Sequence, residues 1–155
     1  MAGMNAEHIN PFLVAAAKIL KDMCMIETKM GKPYVKELDF KDDTVVIIIG
    51  VTGEMKGQVM MAIPNHVACD IATKMIMMPI TQLDDMSISA LSELGNMILG
   101  NAATLFSTKG IGIDITPPTI GMGNMSFSNT FSQNICIPLI YDDNKAIEIN
   151  IAMKE

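Results

Sequence analysis

Apolar and polar positions alternate along this chain with two different periods. Spacings of three and four between apolar residues predict three helices, at about residues 5–23, 65–77 and 84–107. Asn65 is a suitable cap for the second helix, because its side chain accepts hydrogen bonds from free backbone N–H groups. The first helix presents its apolar stripe at Ile9, Phe12, Leu13, Ala16, Ile19, Leu20 and Met23.

Strands are indicated where β-branched residues cluster or where apolar and polar residues alternate. Six such runs occur, at residues 34–40, 44–51, 56–63, 112–118, 131–141 and 145–153. The glycine-rich stretch 121–124 is expected to be a loop, and Asp142–Asn144 to be the turn of a final hairpin. No Pro/Gly/Ser-rich linker interrupts the chain, so residues 1–155 are predicted to form a single domain.

The charge balance argues against several kinds of partner. The net charge is −6, and all 11 basic residues are lysines. Nucleic-acid-binding proteins concentrate Arg and Lys in basic patches, so no nucleic-acid partner is expected. A bidentate arginine clamp on a phosphate is impossible here. Any phosphate chemistry must therefore take its positive charge from a partner or a metal.

Compartment and metal chemistry are constrained by what surrounds the cysteines and histidines. Cys24, Cys69 and Cys136 lie far apart among apolar neighbours, which is typical of reduced cysteines in a cytoplasmic protein. His8 and His66 lie far apart in the chain, so no metal site is predicted. The chain start lacks the pattern of a secretory signal, and no apolar run is long enough to predict a membrane span.

Methionine is abundant, at 16 of 155 residues. The methionines are spread along the chain, so they are interpreted as core residues that take the place of leucine. An alternative is a small-molecule sensor with a methionine-lined pocket, since methionine side chains adapt to many ligands.

The third predicted helix carries the candidate chemistry. With about 100° per residue, Ser89, Glu93, Asn96 and Gly100 fall in one narrow sector of the helical wheel. Leu91, Leu94, Ile98, Ala102 and Leu105 fall on the opposite side, which predicts an amphipathic helix. Gly100 flattens the polar stripe, so another protein could approach it closely.

Glu93 and Asn96 are one helical turn apart and suit phosphoryl transfer to water. A neutral amide such as Asn96 accepts a hydrogen bond from water and donates one to an oxygen, so it could hold an attacking water in line. Glu93 would repel a phosphoryl group unless it met a cation, for example a lysine of a partner. Taken alone, Glu-x-x-Asn is common on solvated helix faces.

The motif does not stand alone. Ser89-x-x-x-Glu93-x-x-Asn96, followed about twenty residues later by Pro117-Pro118, resembles the signature of the CheC/CheX phosphatases. The run Ile9–Phe12 that leads into an alanine-rich helix is similar to the CheX branch, as is the segment Gly53–Pro64. The motif occurs in one copy, whereas CheC-type members carry two, so the chain is closer to CheX.

This resemblance implies an α+β fold with an antiparallel or mixed sheet, flanking helices and one long helix that carries the site. It implies a homodimer joined edge to edge through its sheets, and a phosphorylated CheY-type response regulator as substrate. Asn96 would orient the water and Glu93 would pair with the regulator's lysine. Ser89, Gly100 and Pro118 would contribute to docking. Magnesium would belong to the regulator, with no cofactor on this chain.

The alternative is a non-catalytic module of the same fold that binds a regulator or a receptor.

Overall fold

A computed structural model describes residues 6–35, 37–41, 43–128 and 134–154. Its three helices are α1 (Ala6–Cys24), α2 (Asn65–Ile76) and α3 (Asp85–Thr108). Its strands are β1 (Lys29–Met30), β2 (Tyr34–Val35), β3 (Asp39–Phe40), β4 (Thr44–Gly53), β5 (Gly57–Pro64), β6 (Ile113–Ile115), β7 (Thr119–Met122), β8 (Met125–Ser126), β9 (Ile135–Tyr141) and β10 (Lys145–Met153).

Eight of these strands form one antiparallel sheet in the order β1-β9-β10-β5-β4-β6. In addition, β2 pairs with β9 and β7 pairs with β4. The three longest strands, β10, β5 and β4, lie side by side in the middle, where both neighbours satisfy their backbone groups. The predicted α+β class with an antiparallel sheet and flanking helices is confirmed.

One face of the sheet packs against all three helices. Along β4, the residues on this face are Val45, Ile47, Ile49 and Val51, and all of them are buried. The matching residues of β5 and β10 belong to the same core, together with the apolar stripes of the helices. Strict alternation along a strand sends every second side chain to this face. The apolar residues on this face of the sheet pack against the buried side of α3.

The opposite face of the sheet has a smaller apolar cluster. A two-stranded ribbon of β3 and β8 lies over this cluster, to which Phe40 of β3 and the preceding Leu38 belong. Buried Asn150 also lies on this face, where its Nδ2 donates to the backbone oxygen of Met60 and its Oδ1 accepts a hydrogen bond from Asn134.

The predicted strand 34–40 is wrong as a single element. Its first part, β2, pairs with β9 of the large sheet, and its last part, β3, pairs with β8 of the ribbon. The chain leaves the sheet between them because Leu38 and Phe40 bury themselves on the second face. Alternation alone could not reveal that one run serves two sheets.

The glycine-rich stretch 121–124 is a second correction. Gly121 and Met122 belong to β7 and pair with Val46 and Val45 of β4, so half of the expected loop is strand. Gly123 then adopts a left-handed conformation with φ of 94°, which makes the turn into β8. A free edge of β4 provided the pairing partner that the local sequence could not indicate.

The boundaries of the other predicted elements agree within a few residues, whereas the short strands β1 and β8 were not predicted. The last hairpin turns at Asp142 and Asp143, both with positive φ, as its Asp-Asp-Asn turn predicted. Residues 131–133, the start of the predicted strand 131–141, lie outside the described residues.

The capping role of Asn65 is wrong: Pro64 is the cap residue of α2, Asn65 is already helical, and no side chain caps that end.

Candidate functional site

The start of α3 is set by a reciprocal cap. The backbone N–H of Ser87 donates to Asp84 Oδ1 at 2.9 Å, and the backbone N–H of Asp84 donates to Ser87 Oγ at 2.7 Å. The Ser87 N–H, together with the Ser87 hydroxyl, which donates to Asp84 Oδ1 at 2.8 Å, holds the pKa of the Asp84 carboxyl below its ordinary value. Two of the N–H groups that a helix start leaves free are thus satisfied, which defines the register of the residues that follow.

The inward side of α3 is apolar, as the wheel predicted. Its buried residues beyond the first turn are Leu91, Leu94, Gly95, Ile98, Leu99, Ala102 and Phe106. The Phe106 ring meets the ring of Phe12 of α1 edge to face, with centroids 5.1 Å apart. Because this side is buried against α1, α2 and the sheet, the helix cannot rotate without exposing apolar surface.

The outward side of α3 holds four of the five predicted site residues. Ser89 and Glu93 are exposed, and Asn96 and Gly100 are half-buried. Within the described part of the chain, the side chains of Glu93 and Asn96 have no hydrogen bond or ion pair. A carboxylate and an amide are therefore presented together, one turn apart, with their polar atoms available to a partner.

Two glycines in α3 have opposite surroundings. A Cβ atom added at Gly100 would meet nothing within 4 Å, so that part of the stripe is open. A Cβ atom added at Gly95 would lie 2.7 Å from Ile47 Cγ2. The sequence prediction did not include Gly95. This glycine lies between Glu93 and Asn96 in the chain but on the apolar side of the helix, where a missing side chain indicates close packing.

Pro118 is the predicted site residue that does not lie on α3. It is half-buried in the segment between β6 and β7, both of which pair with β4. Thr116 anchors this segment: its backbone N–H donates to the oxygen of Gly50, and its Oγ1 accepts from the Gly50 N–H at 2.8 Å.

Metal sites, reactive cysteines and membrane-spanning helices were also sought among the described residues. Among them, no group of three or more His, Cys, Asp or Glu side chains is placed to hold a metal ion. Burial raises the pKa of the Cys24 thiol to about 11 and also raises the pKa of Cys69, which disfavours the reactive thiolate at both positions. No helix in the described ranges is long and apolar enough to cross a bilayer.

The methionines are divided between core and surface. Met60, Met61 and Met153 are buried, in agreement with the interpretation as core residues. Met25 and Met77 are 86% and 88% exposed, so that interpretation is wrong for part of the set. Several exposed methionines surround a surface groove of about 700 Å³ between the ends of α1 and α2, lined also by Cys24, Thr73 and Lys74.

Comparison with known proteins connects this geometry to one family. The family described as chemotaxis phosphatase CheX matches residues 45–139. The CheY-P phosphatase CheX of Thermotoga maritima is 28% identical over 152 residues, which are 97% of this chain and 98% of that protein.

Solved structures agree over nearly the whole chain. The CheX in a CheX–CheY–BeF3–Mg²⁺ complex from Borrelia burgdorferi is 35% identical, with a TM-score of 0.80, and the match covers 96% of this chain and 98% of that one. A CheC-like superfamily protein from Shewanella sp. PV-4 is 29% identical, with a TM-score of 0.87 and coverage of 98% and 100%.

Proposed function

Because the chain belongs to the chemotaxis phosphatase CheX family, we propose that it dephosphorylates a phosphorylated CheY-type response regulator in bacterial chemotaxis signalling. One observation carries the proposal. Glu93 and Asn96 lie one turn apart on the outward side of α3, and neither side chain is engaged elsewhere in the described part of the chain. A neighbouring surface glycine leaves room for a second protein beside them.

Asn96 is the residue that we assign to the attacking water. Hydrolysis of a phospho-aspartate needs a water in line with the bond that breaks, and it needs little covalent help from side chains. The amide oxygen of Asn96 accepts a hydrogen bond from that water, and its N–H₂ group donates to an oxygen near the phosphoryl group. Half-burial on a rigid helix limits the motion of the amide, which favours a defined water position.

Glu93 is assigned to docking on the regulator's lysine. A carboxylate and a phosphoryl group are both negatively charged and repel each other. Glu93 can therefore lie near the phosphoryl group only if a positively charged group of the partner pairs with it. The ammonium group of lysine is a compact positive charge, which is attracted to a carboxylate at short range. Since Glu93 is exposed, it can reach across an interface without rearrangement of α3.

The magnesium ion and the phospho-aspartate belong to the regulator in this proposal. The Borrelia burgdorferi complex contains CheX, CheY, BeF3 and Mg²⁺ together. The present chain has no arginine with which to hold a phosphate itself. Its own contribution is a water-positioning amide and a docking carboxylate, and no cofactor of its own is required.

Ser89, Gly100 and Pro118 are assigned to the docking surface. Ser89 precedes Glu93 by one turn and is exposed, so it extends the polar stripe toward the start of α3. Gly100 extends it toward the other end without adding a side chain. Pro118 would contribute from the β6–β7 segment, which is anchored to the same sheet that supports α3.

A homodimer formed through sheet edges is part of the proposal. Within the described residues, β6 and β7 each pair with β4 alone, so their outer backbone groups are available to another strand. Sedimentation equilibrium at micromolar concentration should give twice the chain mass of 16.8 kDa. A cytoplasmic site of action is also proposed, in agreement with three free cysteines.

Turnover of a phosphorylated regulator tests the proposal directly. A CheY-type regulator from the same organism is phosphorylated, and the loss of phosphate is followed with catalytic amounts of this protein. Wild type should turn over many regulators. Asn96→Ala should lower kcat by about a hundredfold, as expected for loss of a positioned water. Glu93→Ala should mainly raise KM, because it removes the proposed ion pair with the regulator's lysine.

Two outcomes would contradict parts of this proposal. Unchanged dephosphorylation by Asn96→Ala would remove the amide from the reaction. A wild-type protein that binds the phosphorylated regulator without accelerating phosphate loss would favour the non-catalytic binding module. Circular dichroism of each variant should remain that of the wild type, since both side chains lie on the outer side of α3.

A further inference from the structure

Gly95 lies on the buried side of α3, where the helix backbone rests directly on strand β4. A Cβ atom built at Gly95 would be 2.7 Å from Ile47 Cγ2 and 3.5 Å from Ile49 Cδ1. Carbon atoms in contact normally stay about 3.5–4.0 Å apart. No residue with a side chain can therefore occupy this position unless the helix or the strand moves.

Ile47 is held so firmly that the helix would have to move. It is fully buried, and its strand is paired on both sides, with Met61 of β5 and with Ile120 of β7. Cγ2 is bonded directly to Cβ, and β-branched side chains have restricted χ1 rotamers. The obstructing methyl group thus moves only if the centre of the sheet moves with it.

A turn or a kink does not explain this glycine. Gly95 is not among the glycines with positive φ, and α3 is α-helical over all 24 residues. A glycine inside a helix is less favourable than alanine. The close approach to Ile47 is the physical reason that a glycine occupies the middle of this long helix.

We propose that Gly95 is a positioning residue that sets the depth of α3 on the sheet, and thereby the reach of Glu93 and Asn96 toward a docked regulator. The inference rests on the function proposed above. Gly95 immediately precedes Asn96, and it follows Glu93 by two residues. Because a long helix moves as a rigid body, a shift that relieves the Ile47 contact displaces both site residues together.

The size of the displacement gives the expected effect. Restoring a normal carbon contact requires α3 to rise by about 1 Å from β4. A misplacement of about 1 Å in a positioned group can lower a rate by about a hundredfold. Gly95→Ala should therefore lower kcat at saturating phosphorylated regulator by about that factor, while the protein still unfolds in one cooperative transition.

Crystal structures of two alanine variants test the packing part. Gly95→Ala should show α3 displaced away from β4 near Ile47. Gly100→Ala makes the same substitution in the same helix, but its Cβ would meet nothing within 4 Å. It should leave α3 in the wild-type position, so a displacement in both variants would indicate a general effect of alanine.

A compensating substitution tests the link between helix position and turnover. Ile47→Leu keeps the number of carbon atoms but removes the branch methyl that a residue-95 Cβ would meet. The double variant Gly95→Ala/Ile47→Leu should return α3 toward its wild-type position and recover at least tenfold in kcat over Gly95→Ala. Ile49→Leu is the matched control, because its nearest atom is already at an ordinary distance of 3.5 Å.

Each result decides the inference. Wild-type kcat in Gly95→Ala, an unmoved α3, or equal recovery by Ile47→Leu and Ile49→Leu would overturn it. Displacement with lost kcat, reversed by Ile47→Leu alone, would support it. A wild-type protein that turns over no regulator contradicts the proposed function instead, and the position of α3 in the two variants still supports or overturns the packing part.

Discussion

The Tyr141 hydroxyl donates a hydrogen bond of 2.7 Å to the Asp70 carboxylate, and this contact joins the β9–β10 hairpin to α2. Lys74 donates to the same carboxylate at 3.2 Å. Lys145 of β10 lies 3.4 Å from it and also sits over the Tyr141 ring, 5.6 Å from its centroid. One carboxylate thus connects a helix with the last two strands of the sheet.

Removal of the Tyr141 hydroxyl should destabilise the fold. Tyr141→Phe keeps the ring in the core but leaves Asp70 without its shortest hydrogen bond. A hydrogen bond to a charged group contributes about 1.5–3 kcal/mol, and partial exposure of Asp70 places the expected loss at about 1–2 kcal/mol of unfolding free energy. Urea unfolding followed by circular dichroism measures it.

Tyr34→Phe is the matched control for that measurement. Tyr34 donates to Glu148 at 2.6 Å, but its side chain lies at the surface, where water replaces the lost hydrogen bond. A smaller loss than in Tyr141→Phe is expected. Equal losses in the two variants would contradict a special role for the Asp70 contact.

The stability that Asp70 provides should disappear in acid. Burial raises the pKa of the Asp70 carboxyl, but the hydrogen bonds from Tyr141 and Lys74 and the charges of Lys74 and Lys145 outweigh it, so its pKa lies below the ordinary value of an aspartate. A lowered folded-state pKa means that the contribution is full above the unfolded pKa and is lost as the pH falls through the folded one.

The difference in unfolding free energy between wild type and Asp70→Asn should therefore shrink steadily as the pH falls below about 5. Urea titrations at several pH values give this difference directly. If it stayed constant over the range, the carboxylate charge would not be the source of the stabilisation.

Cys24 should resist alkylation in the folded protein. Burial raises the pKa of its thiol to about 11, so almost no thiolate is present near neutral pH, and the sulfur is also shielded. Iodoacetamide labelling followed by mass spectrometry should show modification of the half-buried Cys69 before Cys24. In urea both should react at similar rates. Folded-state labelling of Cys24 as fast as in urea would show that this end of α1 opens readily.

Substitutions at Gly100 should show whether a partner protein contacts the open part of the polar stripe of α3. Gly100→Ala should raise the unfolding free energy by up to about 1 kcal/mol, since the new methyl group meets nothing and alanine favours helix. Gly100→Phe should fold normally but weaken binding to a beryllofluoride-activated regulator by about tenfold or more, or about 1.4 kcal/mol. Isothermal titration calorimetry measures this affinity.

Thr108→Phe places the same ring at an exposed position of α3 outside the polar stripe. It should bind the regulator as the wild type does. If it weakens binding as strongly as Gly100→Phe, the docking surface is not confined to the stripe.

Sequence patterns were sufficient where a local period reports burial. The apolar stripe of α1, the β-branched run of β4 and the alternation in β10 each predicted their elements, because each element buries one side in one continuous core. Prediction failed where pairing was non-local. Residues 34–40 divide between two sheets and Gly121 joins β7, and in each case the deciding partner is far away in the chain.

For the site, the sequence by itself determined that Ser89, Glu93, Asn96 and Gly100 share one side of a helix, since helical geometry follows from spacing alone. Only the tertiary structure decided that this side faces outward with Glu93 and Asn96 unengaged in the described chain. It also decided that Gly95 rests on Ile47. Contacts of that kind depend on which strand lies beneath the helix, and spacing within one segment carries no information about a neighbour folded onto it from elsewhere.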